Sequence, residues 1–240
     1  MLEPRTVEIA VQDPTGARGA IAAGASRLEL CQALDVGGLT PSLALLEAVL
    51  DAVDPRLVNV LVRPRGGGFV YSAEEVELVA ADIRACVARG AGGVVVGALD
   101  PAGGLDVQAV RRWQDAAGTA TLVFHRAIDA APDPVAVFDA LLAEKVDRVL
   151  TSGGASRSID GTLRLAELVG RGAGEMEIMA GGGVRPADIP ALFAAGVDAV
   201  HLSARGRAGH DAPSGPGGGS EGHDVTDLDV VVEAVAAAAG

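Results

Sequence analysis

"GVDAVHLSA", residues 196–204, decides the fold, because its plan recurs along the chain. "GASRLEL" (24–30), "GAGGVVVG" (90–97) and "KVDRVLTSG" (145–153) repeat it, each leading into a short apolar run. These four phrases precede or enter the second, fourth, sixth and eighth of eight strand-like runs. The eight are "VEIAV" (7–11), "RLELC" (27–31), "VNVLVR" (58–63), "GVVVG" (93–97), "TLVFH" (121–125), "RVLTS" (148–152), "EIMAG" (177–181) and "AVHLS" (199–203). Ala/Leu-rich helical stretches separate them. Strands alternating with helices imply a parallel sheet. A two-strand unit used four times implies a closed (β/α)8 TIM barrel, an α/β fold forming a single domain over residues 1–240. An open doubly wound sheet predicts no fourfold recurrence.

Helix starts fit this plan. Asp133–Pro134 reads as an N-cap followed by proline at the first helical position, and Thr40–Pro41 repeats the pattern. Ser72 and Glu75 read as a capping box. Residues 205–224 are rich in Gly, Pro and Ser and read as a flexible loop after the eighth strand, with a last helix over 225–239.

The 240 residues, 49% of them hydrophobic, are enough for one large core. The net charge of −13 argues against nucleic acid and anionic membrane surfaces as partners. An anionic ligand would need a local cationic pocket. Two cysteines without a regular framework, Cys31 and Cys86, suggest a reducing compartment. The N-terminal residues do not resemble a signal peptide, and no apolar run approaches the roughly 20 residues needed to span a bilayer. The expectation is a cytoplasmic protein.

Strand alternation assigns the faces. Val7, Ile9, Val11, Leu28, Leu30, Val60, Val62, Leu122, Phe124, Val200 and Leu202 would face the helices. Glu8, Ala10, Arg27, Glu29, Cys31, Asn59, Leu61, Arg63, His125, His201 and Ser203 would face inward. Enclosed charges must neutralise one another or bind something. Arg27 lies low enough for a salt bridge within the barrel. Glu8, Glu29, Arg63, His125 and His201 form the candidate catalytic set, near the strand ends where barrel active sites form.

Glycines cluster at those ends and would let backbone N–H groups approach an anion. "RPRGGGF" (63–69) carries Arg65, "TSGG" (151–154) carries Ser152 and Gly153, and "AGGGVRP" (180–186) carries Gly181, Gly182, Gly183 and Arg185. With Ser203 and Arg205 of "SARGR", these are candidate ligand-binding residues for a phosphate or carboxylate. The only lysine, Lys145, precedes the sixth strand at the far end of the barrel, which disfavours Schiff-base chemistry. No GxSxG elbow joins a strand-like run to a helical stretch, and no HxH or HExxH metal spacing occurs. His125 and His201 could still join Glu8 or Glu29 at a metal. Trp113 and Leu105 read as packing residues, and His210 and His223 as solvated. Phe69 and Tyr71 read equally as a lid or as ordinary loop packing. In "TLVFHRAID" (121–129), Arg126 starts a loop and Asp129 would hold it or cap that loop.

Several phrases, in order, resemble the CutC copper-homeostasis family: "RLELCQALDVGGLTPS", "VRPRGGGFVYSAEEVELVAADI", "VFHRAIDAAPDP", "RVLTSGGAS", "MAGGGV" and "HLSAR". The resemblance covers about residues 6–205. It implies a TIM barrel, a cytoplasmic location, homo-oligomers and an association with copper, with Cu(I) binding in some members. The family's copper link resembles two cysteines ending the first two strands. Cys31 matches the second and is the candidate metal ligand; Ala10 stands at the first. Three functions follow as expectations: a barrel enzyme acting by acid/base chemistry on a small anionic or carbohydrate-like ligand, a non-catalytic Cu(I) binder using Cys31, or an interaction barrel.

Overall fold

The computed structural model describes residues 5–209 and 222–240. Eight parallel strands close on themselves in sequence order. They are β1 (Thr6–Val11), β2 (Arg27–Leu30), β3 (Val58–Leu61), β4 (Gly93–Val96), β5 (Thr121–Phe124), β6 (Arg148–Thr151), β7 (Glu177–Gly181) and β8 (Ala199–Leu202). The helices are α1 (Pro14–Ala22), α2 (Leu43–Leu50), α3 (Ala73–Ala88), α4 (Val107–Ala117), α5 (Pro134–Ala143), α6 (Thr162–Gly172), α7 (Ile189–Ala194) and α8 (Leu228–Ala239). The (β/α)8 barrel is thus as the repeat implies.

The period-two pattern sorts side chains as the sequence suggests. Ile9, Leu28, Val60, Leu122, Phe124 and Val200 sit in a continuous apolar layer between barrel and helices. Trp113 is buried in that layer, and its indole N–H donates to the Val76 carbonyl. Inside the barrel, Cys31, Leu61, Val95, Val123, Leu150, Met179 and Ala199 form a second, smaller apolar cluster. Below it, Glu8, Arg27, Asn59, Arg148 and Glu177 form a polar layer, with Glu8 opposite Arg27 on β1 and β2 and Arg148 opposite Glu177 on β6 and β7.

Ser72 and Glu75 make the capping box at α3, and Asp133 caps α5 ahead of Pro134. Two expectations need correction. The α2 cap is Ser42, which accepts from the Leu45 N–H. Thr40 is instead engaged by the segment just beyond β3, its hydroxyl accepting from the Arg63 N–H and donating to the Arg63 carbonyl. The last helix starts at Leu228 rather than 225, because Asp227 accepts from the N–H groups of Asp229 and Val230. The β-branched residues before it instead form strand β10 (His223–Thr226), antiparallel to β9 (Arg205–Ala208). The stretch read as a flexible loop is therefore paired at both ends, and 210–221, including His210, lies outside the described residues.

Phe124 is fully buried, whereas Leu163 on α6 is 90% exposed. Phe124→Ala should destabilise the fold by about 3–5 kcal/mol, and Leu163→Ala should stay within about 0.5 kcal/mol of wild type in denaturant melts. Similar losses at both positions would contradict the assignment of faces.

Candidate functional site

The site stands on the polar layer. Glu8 is fully buried, and its partners come from β2, β3 and β8. Oε2 accepts from Arg27 Nε at 2.7 Å and Asn59 Nδ2 at 3.0 Å, while Oε1 lies 2.9 Å from His201 Nδ1. Arg27 also pairs with Glu177 at 2.5 Å, and Glu177 with Arg148 at 2.7 Å. Burial alone would raise the Glu8 pKa. The His201 hydrogen bond and the charges of Arg27, His201 and Arg148 outweigh it and hold the carboxyl at about 2. Glu8 is therefore a fixed anion beneath the mouth.

Above it opens a cavity of about 300 Å³ at the C-terminal ends of the strands. Glu29, Arg63, His125, His201, Ser203 and Arg205 border it, as do Gly182 and Gly183. Leu34, Leu61, Leu150 and Leu202 give it apolar walls. Glu29 is only 5% exposed, and it forms no hydrogen bond or ion pair among the described residues. Burial pushes its pKa up to about 7, with His201 pulling down and Glu8 adding repulsion. His201 is the reverse case. Burial opposes its charge, but Glu29 and Glu8 prevail and raise its pKa. With Nδ1 directed at Glu8, Nε2 is left as its free nitrogen.

The opposite wall is cationic. Arg63 is 7% exposed and has no carboxylate partner among the described residues. Its Nη1 donates to the carbonyls of Val36 and Gly38, its Nη2 to that of Gly67, and its Nε finds no acceptor. The turn after β2 and the "RGGG" loop thus close together around the guanidinium. Phe69 lies between Arg63, 5.2 Å from its ring centroid, and the His125 ring at 5.0 Å. His125 Nδ1 accepts from the Ala127 N–H at 3.1 Å, so the neutral ring carries its proton on Nε2, which is buried without a partner. Burial and the Arg63 charge lower the His125 pKa to about 3, so the ring stays neutral at ordinary pH.

Two further guanidiniums reach the cavity. Arg205 is tied to Asp224 at 3.1 Å and Asp35 at 3.5 Å. Arg126, which the sequence placed at the start of a loop, also borders it. Asp129 holds Arg126 at 2.8 Å and accepts from the Thr151 hydroxyl and the N–H groups of Ser152 and Gly154. Gly182 allows this approach. At φ +117°, a Cβ on it would lie 2.7 Å from the Arg126 guanidinium carbon.

Other candidates sit elsewhere. The Arg65 side chain turns to Glu75 and to the carbonyls of Gly68 and Val70, away from the cavity. Ser152 donates to the Ala155 carbonyl, and neither it nor Gly153 nor Gly181 borders the cavity. Arg185 starts a short turn, where its N–H donates to Asp188. Phe69 borders the mouth, but Tyr71 packs against Trp113 and under Arg65. His223 is exposed on β10.

Two donor sets bear on metals. One oxygen each of Glu8 and Glu29 and one His201 nitrogen lie within 4.8 Å of one another. Both Glu8 oxygens are already engaged by Arg27, Asn59 and His201, so this set is a polar network rather than a free cage. Cys31 is fully buried in the inner apolar cluster, with only the Val11 carbonyl at 3.9 Å from its sulfur. Burial, then the Glu29 charge, pushes its thiol pKa far up, whereas a Cu(I) ligand must be a thiolate. Cys86 lies across the barrel wall on α3, so the two thiols cannot share an ion. The residues present do not fit a thiolate copper site.

Comparison with known proteins gives a consistent answer. The CutC family model matches residues 5–206. A family protein CutC of Xanthomonas campestris is 43% identical over 201 residues, covering 83% of each chain. One from Xylella fastidiosa is 42% identical over 200 residues, 83% of this chain and 74% of the relative. Among solved structures, the putative copper homeostasis protein CutC of Streptococcus agalactiae superposes with a TM-score of 0.77 at 30% identity, over 83% of this chain and 98% of that one.

The raised Glu29 pKa has a measurable consequence. Its contribution to stability is complete below its ordinary value of 4.5 and is lost as pH rises through about 7. Glu29→Gln, which stays neutral, should gain on the order of 2 kcal/mol relative to wild type between about pH 5 and pH 8 in denaturant melts, the equivalent of one to two pKa units. Parallel curves for the two proteins would contradict a buried, unpaired Glu29.

Proposed function

The chain belongs to the CutC family, and from that premise we propose that its barrel mouth binds a small anion and performs acid/base chemistry on it. The observation that carries this is Arg63: a buried guanidinium with no carboxylate partner, one cavity wall away from the unpartnered Nε2 of His125. A buried cation whose partners are all neutral is costly unless an anion completes it. A phosphate or carboxylate between Arg63, Arg126 and Arg205, beside Gly182 and Gly183, would do so. Glu29 supplies a base whose pKa lies near neutrality, and His201, held by Glu8 and with its pKa raised by the two carboxylates, supplies the acid. In this scheme Glu8 is a positioning residue that acts through His201. The setting is the cytoplasm, which suits two free cysteines. Among the described residues, no helix is long and apolar enough to cross a membrane. Self-association into a homo-oligomer would cover exposed apolar side chains such as Leu163, Leu228 and Val232.

Isothermal titration with inorganic phosphate tests the anion site. Wild type should bind saturably, and Arg63→Met should weaken binding by at least about tenfold, the loss of one charge-assisted contact, with an unchanged circular dichroism spectrum. Absence of saturable binding by wild type, or equal binding by both, would remove the proposal.

A second role, in copper homeostasis, comes from the name of the S. agalactiae relative. If it operates here, it does not run through a thiolate pair, since Ala10 and Cys31 end the inward faces of the first two strands. Anaerobic Cu(I) titration should give the same weak binding for wild type and Cys31→Ser. Tight binding by wild type that Cys31→Ser abolishes would restore the thiolate site.

A further inference from the structure

The mouth offers more than guanidinium groups: a buried carboxyl and two imidazoles also border it. Glu29 is buried in the wall with no partner. Both ring nitrogens that remain uncommitted, Nε2 of His125 and Nε2 of His201, belong to residues bordering the same cavity. The two sit in opposite surroundings, because one ring accepts from a backbone N–H beside Arg63 and the other lies against the Glu8 carboxylate. A neutral imidazole cannot act as a strong acid, but its N–H can bind an oxygen that gains negative charge during reaction. A carboxylate in a partly apolar pocket is suited to removing a proton from carbon. Nucleophilic alternatives lack a group in place. Cys31 is sealed in the inner apolar cluster, Lys145 lies before β6 at the opposite end, and Ser203 has no hydrogen-bonded base.

We propose that the site enolises a phosphorylated α-hydroxy aldehyde or ketone, with Glu29 as the carbon base, His125 as donor to the carbonyl oxygen and His201 as donor to the neighbouring hydroxyl oxygen. This rests on the anion site described above, which holds the phosphate end. The Glu29 carboxylate takes the proton from the carbon next to the carbonyl. The C–H electron pair becomes the new C=C bond, and the carbonyl π pair moves onto oxygen, where the His125 N–H meets the charge. The Glu29 carboxyl then returns its proton. Return to the same carbon gives hydrogen exchange or epimerisation. Return to the adjacent carbon, with the hydroxyl proton passing between the two oxygens, gives the aldose–ketose isomer. Electrons stay within the substrate, Glu29 is regenerated, and no co-reactant is consumed.

The test is solvent exchange. Dihydroxyacetone phosphate, ribose phosphate and ribulose phosphate are each incubated with the protein in deuterium oxide, and loss of the proton on carbon next to the carbonyl is followed by NMR. Parallel titrations use inorganic phosphate. Wild type should exchange at least one of these compounds above the buffer blank. Glu29→Gln should slow exchange by about 10²-fold or more while still binding phosphate, and His125→Gln should slow it by a comparable factor. Saturable phosphate binding with no exchange in any compound overturns the enolisation and leaves the anion site standing. No phosphate binding removes the anion site and the enolisation with it. Exchange undiminished in Glu29→Gln overturns the assignment of the base.

Discussion

The Glu8 carboxylate is the constraint on which the rest depends. A closed barrel excludes water from its axis, so an anion there must be neutralised from within. Arg27, Asn59 and His201 do this from β2, β3 and β8, each within 3.0 Å. The same contacts join four consecutive strands around the closure of the barrel. They also fix the His201 ring, so that one nitrogen is spent downward and the other is left for the mouth. Removing Glu8 would leave Arg27 and His201 as buried charges competing for Glu177 and Glu29.

Two carboxylates one strand apart therefore do different work. Glu8 is paired and remains ionised, whereas Glu29, which borders the cavity, is unpaired and titrates near neutrality. The histidines divide in the same way: His201 is drawn to the charged form by carboxylates, and His125 is kept neutral by burial and Arg63. Environments that push like groups apart are what acid/base chemistry needs. The chain carries a net charge of −13, yet Arg63, Arg126 and Arg205 meet at one opening. The proposed function depends on this local gathering of cations in a chain of opposite net charge.

Much of this was legible in the residues. The recurrent phrase gave the barrel, and period-two alternation put Glu8, Glu29, Arg63, His125 and His201 inside, because the outward face must be apolar to meet the helices. What alternation cannot give is height along the axis and the choice of partner. It could not separate Glu8 from Glu29, since that depends on Arg27 reaching one and not the other. Arg126 follows the inward His125 and lies where the strand pattern ends. It reaches the cavity only because Asp129 turns it and Gly182 has no side chain. Ser42, Asp227 and the β9–β10 pairing were missed for a local reason: several residues could cap each turn, and the pairing joins segments on either side of a long Gly/Pro-rich stretch. Cys31 illustrates the limit of family likeness, because its surroundings, rather than its place in a motif, make it a core thiol.

The central claim is that Arg63 and a neutral His125 leave N–H groups waiting for an anion. Long-range ¹H–¹⁵N NMR of the imidazoles addresses this directly. His125 should be neutral at pH 7 with its proton on Nε2, should not titrate until well below its ordinary value of 6.5, and its Nε2 signal should shift as phosphate is added. A His125 that titrates near that ordinary value, or an Nε2 signal unmoved by saturating phosphate, would contradict it.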